Sequence, residues 1–324
     1  MNKDAKVYVA GHTGLVGSAL MRALHAAGYI NIISKKFEEL DLRDKKSVDD
    51  FFEAERPDYV FLAAAKVGGI QANNQYPAEF LYDNLMIESH IIHAAYQHKV
   101  KKLLFLGSSC IYPRDCPQPI KEDYFMTGPL EKTNEPYALA KIAGIGLCQA
   151  YNRQYGTNFI SCMPTNLYGP EDNFDLLNSH VLPGMIAKMV AAQENRSAAL
   201  ELWGDGTPMR EFLYVDDLAH ALIFLMNRYE EPIPINIGTG FDISIFELAL
   251  LVKELVGFEG ALIFDPKMPN GTPRKLLDVS RLHALGWKHQ TSLKQGVAKT
   301  IEWYRATYGN KGSLHEETNN RCQI

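Results

Sequence analysis

A short apolar run, Lys6-Val7-Tyr8-Val9-Ala10, leads directly into Gly11-His12-Thr13-Gly14-Leu15-Val16-Gly17 and then into Ser18-Ala19-Leu20-Met21-Arg22-Ala23-Leu24, where apolar residues recur at helical spacing. Strand, glycine turn and helix in that order leave few folds open. Gly11 permits the tight turn, Gly14 lets a pyrophosphate approach the backbone, and Gly17 lets the helix pack on the strand with its N-terminus toward the anion. The spacing is G-x-x-G-x-x-G rather than the commoner G-x-G-x-x-G, so the loop alone is also compatible with an ordinary glycine-rich turn.

The chain beyond the loop repeats the alternation. Asn31 to Lys35, Tyr59 to Ala65, Lys102 to Gly107 and Asn158 to Met163 read as strands, and 45–55, 77–98 and 136–155 read as helices. This predicts an α/β fold with a doubly wound parallel (Rossmann) sheet over residues 1–170, to which some later segments return. After about residue 170 the pattern loosens. Pro- and Gly-rich connections separate shorter elements such as the strand Pro234 to Ile237 and the helix Ser244 to Val256, so 171–310 is expected to be mainly a smaller C-terminal substrate-binding lobe. Residues 311–324 are polar enough to form a disordered tail.

Composition excludes several classes. With 324 residues and 46% hydrophobic content the chain can bury a sizeable core, and at a net charge of −5 its 33 Lys and Arg form no basic patch suited to nucleic acid. No apolar stretch approaches the ~18 residues of a membrane span, and the N-terminus has no signal-peptide core, so a cytoplasmic location is expected. The five cysteines are odd in number and lack C-x-x-C pairing, which suggests neither a disulfide framework nor a metal site.

Within Asn134-Glu135-Pro136-Tyr137-Ala138-Leu139-Ala140-Lys141, Tyr137 and Lys141 stand four apart and share a helix face. An ammonium held there favours the phenolate, so the phenol is expected to fall below its usual ~10, toward the range of proton exchange at neutral pH. A surface aromatic beside a solvated lysine produces the same pattern by chance. At the end of the fourth strand, Leu106-Gly107-Ser108-Ser109-Cys110-Ile111-Tyr112-Pro113 offers hydroxyls and a thiol where open α/β sheets bind ligands, and His180 supplies an imidazole. Each of Cys110 and His180 taken alone also reads as an ordinary structural residue. The second strand ends in Ser34-Lys35-Lys36 with no acid until Glu38, which favours a 2′-phosphate and hence NADP(H), and Asp41-Leu42 is placed to meet the adenine edge.

Together these residues carry a resemblance. The glycine loop, Ser108 and Tyr137-x-x-x-Lys141 resemble the extended short-chain dehydrogenase/reductase superfamily of nucleotide-sugar enzymes. The longer stretches Ala63-Ala64-Ala65-Lys66-Val67-Gly68-Gly69-Ile70, Gly107 to Pro113, Asn134 to Ala138, Pro164-Thr165-Asn166-Leu167-Tyr168-Gly169-Pro170, Trp203 to Phe212 and Gly271 to Lys275 are similar to the GDP-L-fucose synthase family, over about residues 6 to 305. That resemblance implies epimerisation of a GDP-4-keto-6-deoxy-mannose at C3 and C5, then reduction at C4 with NADPH. It implies Cys110 and His180 as the acid/base pair for the epimerisations, Ser108 and Tyr137 as donors to the C4 oxygen, and Lys141 as the residue that lowers the Tyr137 pKa and holds the nicotinamide ribose. It further implies Leu106, Gly107, Ser108, Ser109, Pro164, Thr165, Asn166, Leu167 and His180 around the nicotinamide, and Lys188, Trp203, Arg210 and Asn270 around the GDP-sugar. A homodimer built on the helices 77–98 and 136–155 is implied as well. The alternatives are a nucleotide-sugar 4-epimerase, 4,6-dehydratase or 4-reductase of the same superfamily, which would not need the Cys110/His180 pair, and a non-catalytic cofactor-sensing protein, in which Tyr137 or Lys141 would be dispensable.

Overall fold

The structure is a computed structural model that describes residues 1–309 other than 177 and 269; the tail expected at 311–324 lies outside the described residues. In chain order the strands are β1 (Val7–Ala10), β2 (Ile32–Ile33), β3 (Tyr59–Leu62), β4 (Lys102–Leu106), β5 (Phe159–Pro164), β6 (Asn166–Tyr168), β7 (Ala199–Trp203), β8 (Met209–Tyr214), β9 (Ile235–Ile237), β10 (Asp242–Ser244), β11 (Ala261–Asp265) and β12 (Arg274–Lys275). The α-helices are α1 (Leu15–Ala26), α2 (Lys45–Glu55), α3 (Ile70–Gln75), α4 (Pro77–Gln97), α5 (Glu135–Tyr155), α6 (Val181–Glu194), α7 (Val215–Arg228), α8 (Ile245–Val256), α9 (Ser280–Ala284) and α10 (Leu293–Tyr308).

Six strands form one sheet in the order β2-β1-β3-β4-β5-β9, with every neighbouring pair parallel. The chain leaves β1 toward β2 and returns to β3 on β1's other side, so the sheet reverses direction between β1 and β3, where α/β sheets open a ligand crevice. Strand alternation splits the core. Tyr8, Val60, Leu62, Leu103 and Phe105 face α2, α4 and α5, while Val7, Val9, Phe61 and Leu104 face α1 and α7. A third core gathers α6, α8 and α10 against β7 and β8. It supports β8, which carries β10 and β12 on its flanks and also pairs with β6.

Local chemistry sets the boundaries. Asp44 caps α2 by accepting from Ser47 N, Ser244 and Glu247 close a capping box on α8, and α5 stops at Gly156 in the left-handed region (φ 68°). The second strand is shorter than expected: only Ile32 and Ile33 pair, because it is an edge strand with β1 as its sole neighbour. Phe80, Ile91, Ile92 and Ile145, part of the long apolar sets on α4 and α5, are buried within this single chain.

Candidate active site

Glycines place the loop at the switch point. Gly11 has φ 84°, and a Cβ there would lie 2.7 Å from backbone atoms of Ala64 beyond β3, while a Cβ on Gly17 would lie 2.0 Å from Gly11 O. Gly14 differs: the nearest atom its Cβ would meet is Gly11 O at 3.8 Å, so open space lies over the N-terminus of α1. No side chain caps that terminus, Thr13 and Gly14 are exposed, and the buried Nδ1 of His12 has no hydrogen-bond partner among the described residues. Leu15 and Val16 open the helix. Such a cradle of backbone donors suits a dinucleotide phosphate.

Past β2, Lys35 is half-buried and Lys36 exposed, and among the described residues neither forms an ion pair. Asp41 and Leu42 follow this segment. The Asp41 carboxylate is taken by Arg43 through contacts of 2.9 and 3.0 Å, which hold its pKa down, and Leu42 is buried in the core. Arg43 also stacks 5.2 Å from the Phe37 ring centroid, a pairing between residues the sequence did not single out.

At the end of β4 the chain passes Leu106 and Gly107 and tightens into a 3₁₀ turn at Ser109–Ile111. Gly107 must lack a side chain, since its Cβ would lie 2.9 Å from Cys162 O on β5. Ser108 starts the turn, its Oγ accepting from Cys110 N at 3.3 Å, and Cys110 is buried. Burial pushes the Cys110 thiol pKa up, while Lys275 and then Ser108 pull it down. The first two turns of α5 carry Tyr137 and Lys141. Here one expectation reverses: the Tyr137 pKa is raised well above 10, first by burial and then by Cys110 and Glu88, with Ser108 opposing. Lys141 does not act as a bare cation, because its Nζ lies 2.9 Å from the Glu88 carboxylate on α4.

The opposite wall comes from the C-terminal half. His180 is the N-cap of α6, reachable by solvent yet ringed by protein. That surrounding protein, followed by Lys275, lowers its pKa and so favours the neutral imidazole. Pro164 and Thr165 are buried, Leu167 is half-buried, and Thr165 Oγ1 and Asn166 Nδ2 both donate to Glu211 O, at 3.3 and 2.7 Å. The pairing of β12 with β8 sets Lys275 beside Arg210. Among the described residues neither has a carboxylate partner, and burial lowers the pKa of both. Two adjacent cations without counter-ions suit a diphosphate. Lys188 Nζ stands 5.4 Å from the centroid of the half-exposed Trp203 ring. Asn270 pins the same loop, its Oδ1 accepting from Asp205 N at 3.0 Å.

Residues 7–238 match the NAD dependent epimerase/dehydratase family. The chain belongs to that family. Within it, the chain is similar to GDP-L-fucose synthase 1 of Arabidopsis thaliana, 55% identical over 96% of each protein, and to GDP-L-fucose synthase of Escherichia coli, 54% identical over 92% of this chain and 96% of that protein. Among solved structures, a GDP-L-fucose synthetase from Naegleria fowleri bound to NADP superposes with a TM-score of 0.89 at 30% identity, covering 96% of this chain and 97% of that one. The doubly wound fold and the family read from the sequence are those observed. Two site residues escaped sequence reasoning. Lys275 was visible only as the end of a matched stretch, and Glu88 sits in an amphipathic helix where an acid ordinarily reads as solvated.

Proposed function

We propose that this chain epimerises GDP-4-keto-6-deoxy-D-mannose at C3 and C5 and reduces the product at C4 with NADPH, giving GDP-L-fucose. Identities of 54–55% with curated synthases over nearly the whole chain support this reading. The observation that carries it within the family is the Cys110 thiol, beside Ser108 and Tyr137, acted on by the same Lys275 as the His180 imidazole. A 4-epimerase or dehydratase needs the hydroxyl and phenol but not a thiol–imidazole pair.

Protons α to a ketone are acidic because the enolate places charge on the carbonyl oxygen. Ser108 and Tyr137 are the donors to that oxygen, so one site serves both epimerisation and reduction. Cys110 and His180 remove and return the protons at C3 and C5. The glycine loop 11–17 holds the cofactor pyrophosphate, Lys35 and Lys36 the 2′-phosphate, and Lys141 the nicotinamide ribose. Bound NADPH supplies hydride to C4, and Tyr137 protonates the resulting oxygen. Leu106, Gly107, Ser109 and Pro164 to Leu167 exclude water around the reacting carbon. Arg210 and Lys275 hold the diphosphate, while Lys188, Trp203 and the loop fixed by Asn270 bound the rest of the GDP-sugar. Incubation of the purified protein with GDP-4-keto-6-deoxy-D-mannose and NADPH should consume one NADPH per sugar and yield GDP-L-fucose. Formation of a C4-reduced sugar with unchanged C3 and C5 would instead identify a plain 4-reductase.

The chain also forms a homodimer through α4 and α5 in this proposal. No helix among the described residues is long and apolar enough to cross a membrane, yet α4 and α5 leave Tyr82, Leu139 and Tyr155 exposed, with Tyr155 stacked on Tyr96 at 4.2 Å. Sedimentation at micromolar concentration should give twice the 36.4 kDa chain mass, and a single chain mass would refute the dimer.

A further inference from the structure

Glu211 sits on β8 with none of its surface exposed, and among the described residues no cation pairs with its carboxylate. Burying a carboxylate without a counter-ion is costly unless hydrogen-bond donors surround it. Here the donors are backbone N–H groups from two other segments. Oε1 accepts from Thr239 at 2.6 Å and from Gly240 at 2.7 Å, just past β9, and Oε2 accepts from Leu277 at 3.0 Å, just past β12. The backbone leaves room for the acid, since a Cβ on Gly238 would lie 2.3 Å from Oε1. Glu211 thus joins β8 and β12 of the smaller sheet to β9 at the edge of the six-stranded one. None of the chemistry above employs this side chain.

That junction bears on Arg210 and Lys275. Arg210 precedes Glu211 on β8, and Lys275 is set opposite it by β12, a strand of only two residues. So short a strand depends on anchors at its ends. On one side Arg274 pairs with Asp242 of β10 at 2.5 Å; on the other, Leu276 N donates to Gln118 Oε1 at 2.9 Å and Leu277 N to Glu211. Of these contacts, the one with Glu211 returns the segment to the strand that carries Arg210. The two cations repel each other and neither has a carboxylate partner among the described residues, so the backbone must hold them together before an anion arrives. Glutamine could not do the work of the acid. It has a single acceptor oxygen, and whichever way its amide turns, the NH₂ group meets a backbone N–H. Either the Thr239–Gly240 contact or the Leu277 contact is then lost.

We propose that Glu211 is a positioning residue for the diphosphate: by holding Leu277 and the Thr239–Gly240 turn at once, it fixes β12 against β8 and keeps Lys275 beside Arg210 before the GDP-sugar binds. The role rests on the reading of those two cations as the diphosphate pair, and its test needs neither turnover nor the keto sugar. GDP and GMP differ by one phosphate, so the ratio of their affinities, measured by calorimetry on the full-length protein, isolates what the second phosphate contributes. Glu211→Gln should cut the parental preference for GDP by about tenfold or more, while GMP and NADPH bind within about threefold of the parent. Lys275→Met should cut the same ratio, and the double variant should lose less than the product of the two single losses, because both changes act on one site. The proposal is overturned if Glu211→Gln keeps the preference, or if the double loss equals that product. Equal weakening of GDP, GMP and NADPH also overturns it, since that marks a general loss of structure. Should Glu211→Gln fail to fold, the parent decides: GDP but not GMP should slow amide hydrogen exchange at Thr239, Gly240 and Leu277, and exchange there that GDP leaves unchanged overturns the proposal. A parent that binds GDP no better than GMP would overturn the diphosphate reading together with this role, whereas failure to turn over the keto sugar would count against the proposed function only.

Discussion

Tyr137→Phe is expected to bind NADPH as the parent does and to lose C4 reduction by on the order of 10²–10⁴. The loss follows from how few proton donors the site contains. The Tyr137 phenol, with its raised pKa, carries a proton throughout the neutral range. His180 has its pKa lowered and is therefore mostly unprotonated there, and the Ser108 hydroxyl can donate a hydrogen bond to the oxygen but is far too weak an acid to give up its proton. Phenylalanine keeps the ring and its edge contact with Phe80, centroids 6.5 Å apart, so the fold should survive the change. Lys141 keeps Glu88 as its partner, so cofactor affinity should hold as well. Single-turnover NADPH oxidation separates these effects, because it reads hydride transfer after binding is complete. Turnover within a factor of about three of the parent would show that another group delivers the proton.

How much of this site could be read from the chain depends on the range of the interactions involved. The loop from Gly11 to Gly17 was legible because its strand, turn and helix are consecutive, and the helix 45–55 because Asp44 and the apolar period mark it locally. Helix α6 was not: Leu182, Met185, Ile186, Met189 and Val190 are buried along with Gly184 and Ala187, so no polar face remains to give it a period. The Tyr137–Lys141 pair was visible, and the burial that raises the phenol's pKa, with Cys110 and Glu88 adding to it, was not. Lys141 and Glu88 are 53 residues apart (141 − 88) and meet only because α4 and α5 pack against each other around Gly144. At Asp41 the sequence suggested a ligand contact after the second strand and gave no sign that Arg43, two residues on, pairs with the carboxylate.

Cys110→Ser should separate the two proposed chemistries. Burial raises the Cys110 pKa and lowers that of His180, while Lys275 lowers both, so the protonated thiol and the neutral imidazole are favoured. The pair thus holds one proton between its two members, one group able to give it and the other to take it, as inversion at a carbon α to a ketone requires. A serine hydroxyl occupies nearly the same space but is far too weak an acid to replace the thiol, so the exchange of the C3 or C5 proton with deuterated water should fall by on the order of 10²-fold or more. Hydride transfer does not pass through the thiol, so NADPH should still be oxidised, and the product should retain an unepimerised or partly epimerised ring. His180→Gln should depress exchange and reduction together, since the imidazole lines the proposed nicotinamide cleft as well as serving the α-carbons. Parental exchange at both carbons in Cys110→Ser would make the thiol a packing residue. The acid/base partner of His180 would then have to be sought among the groups around it, and Lys275 is the charged residue already placed to act on that imidazole.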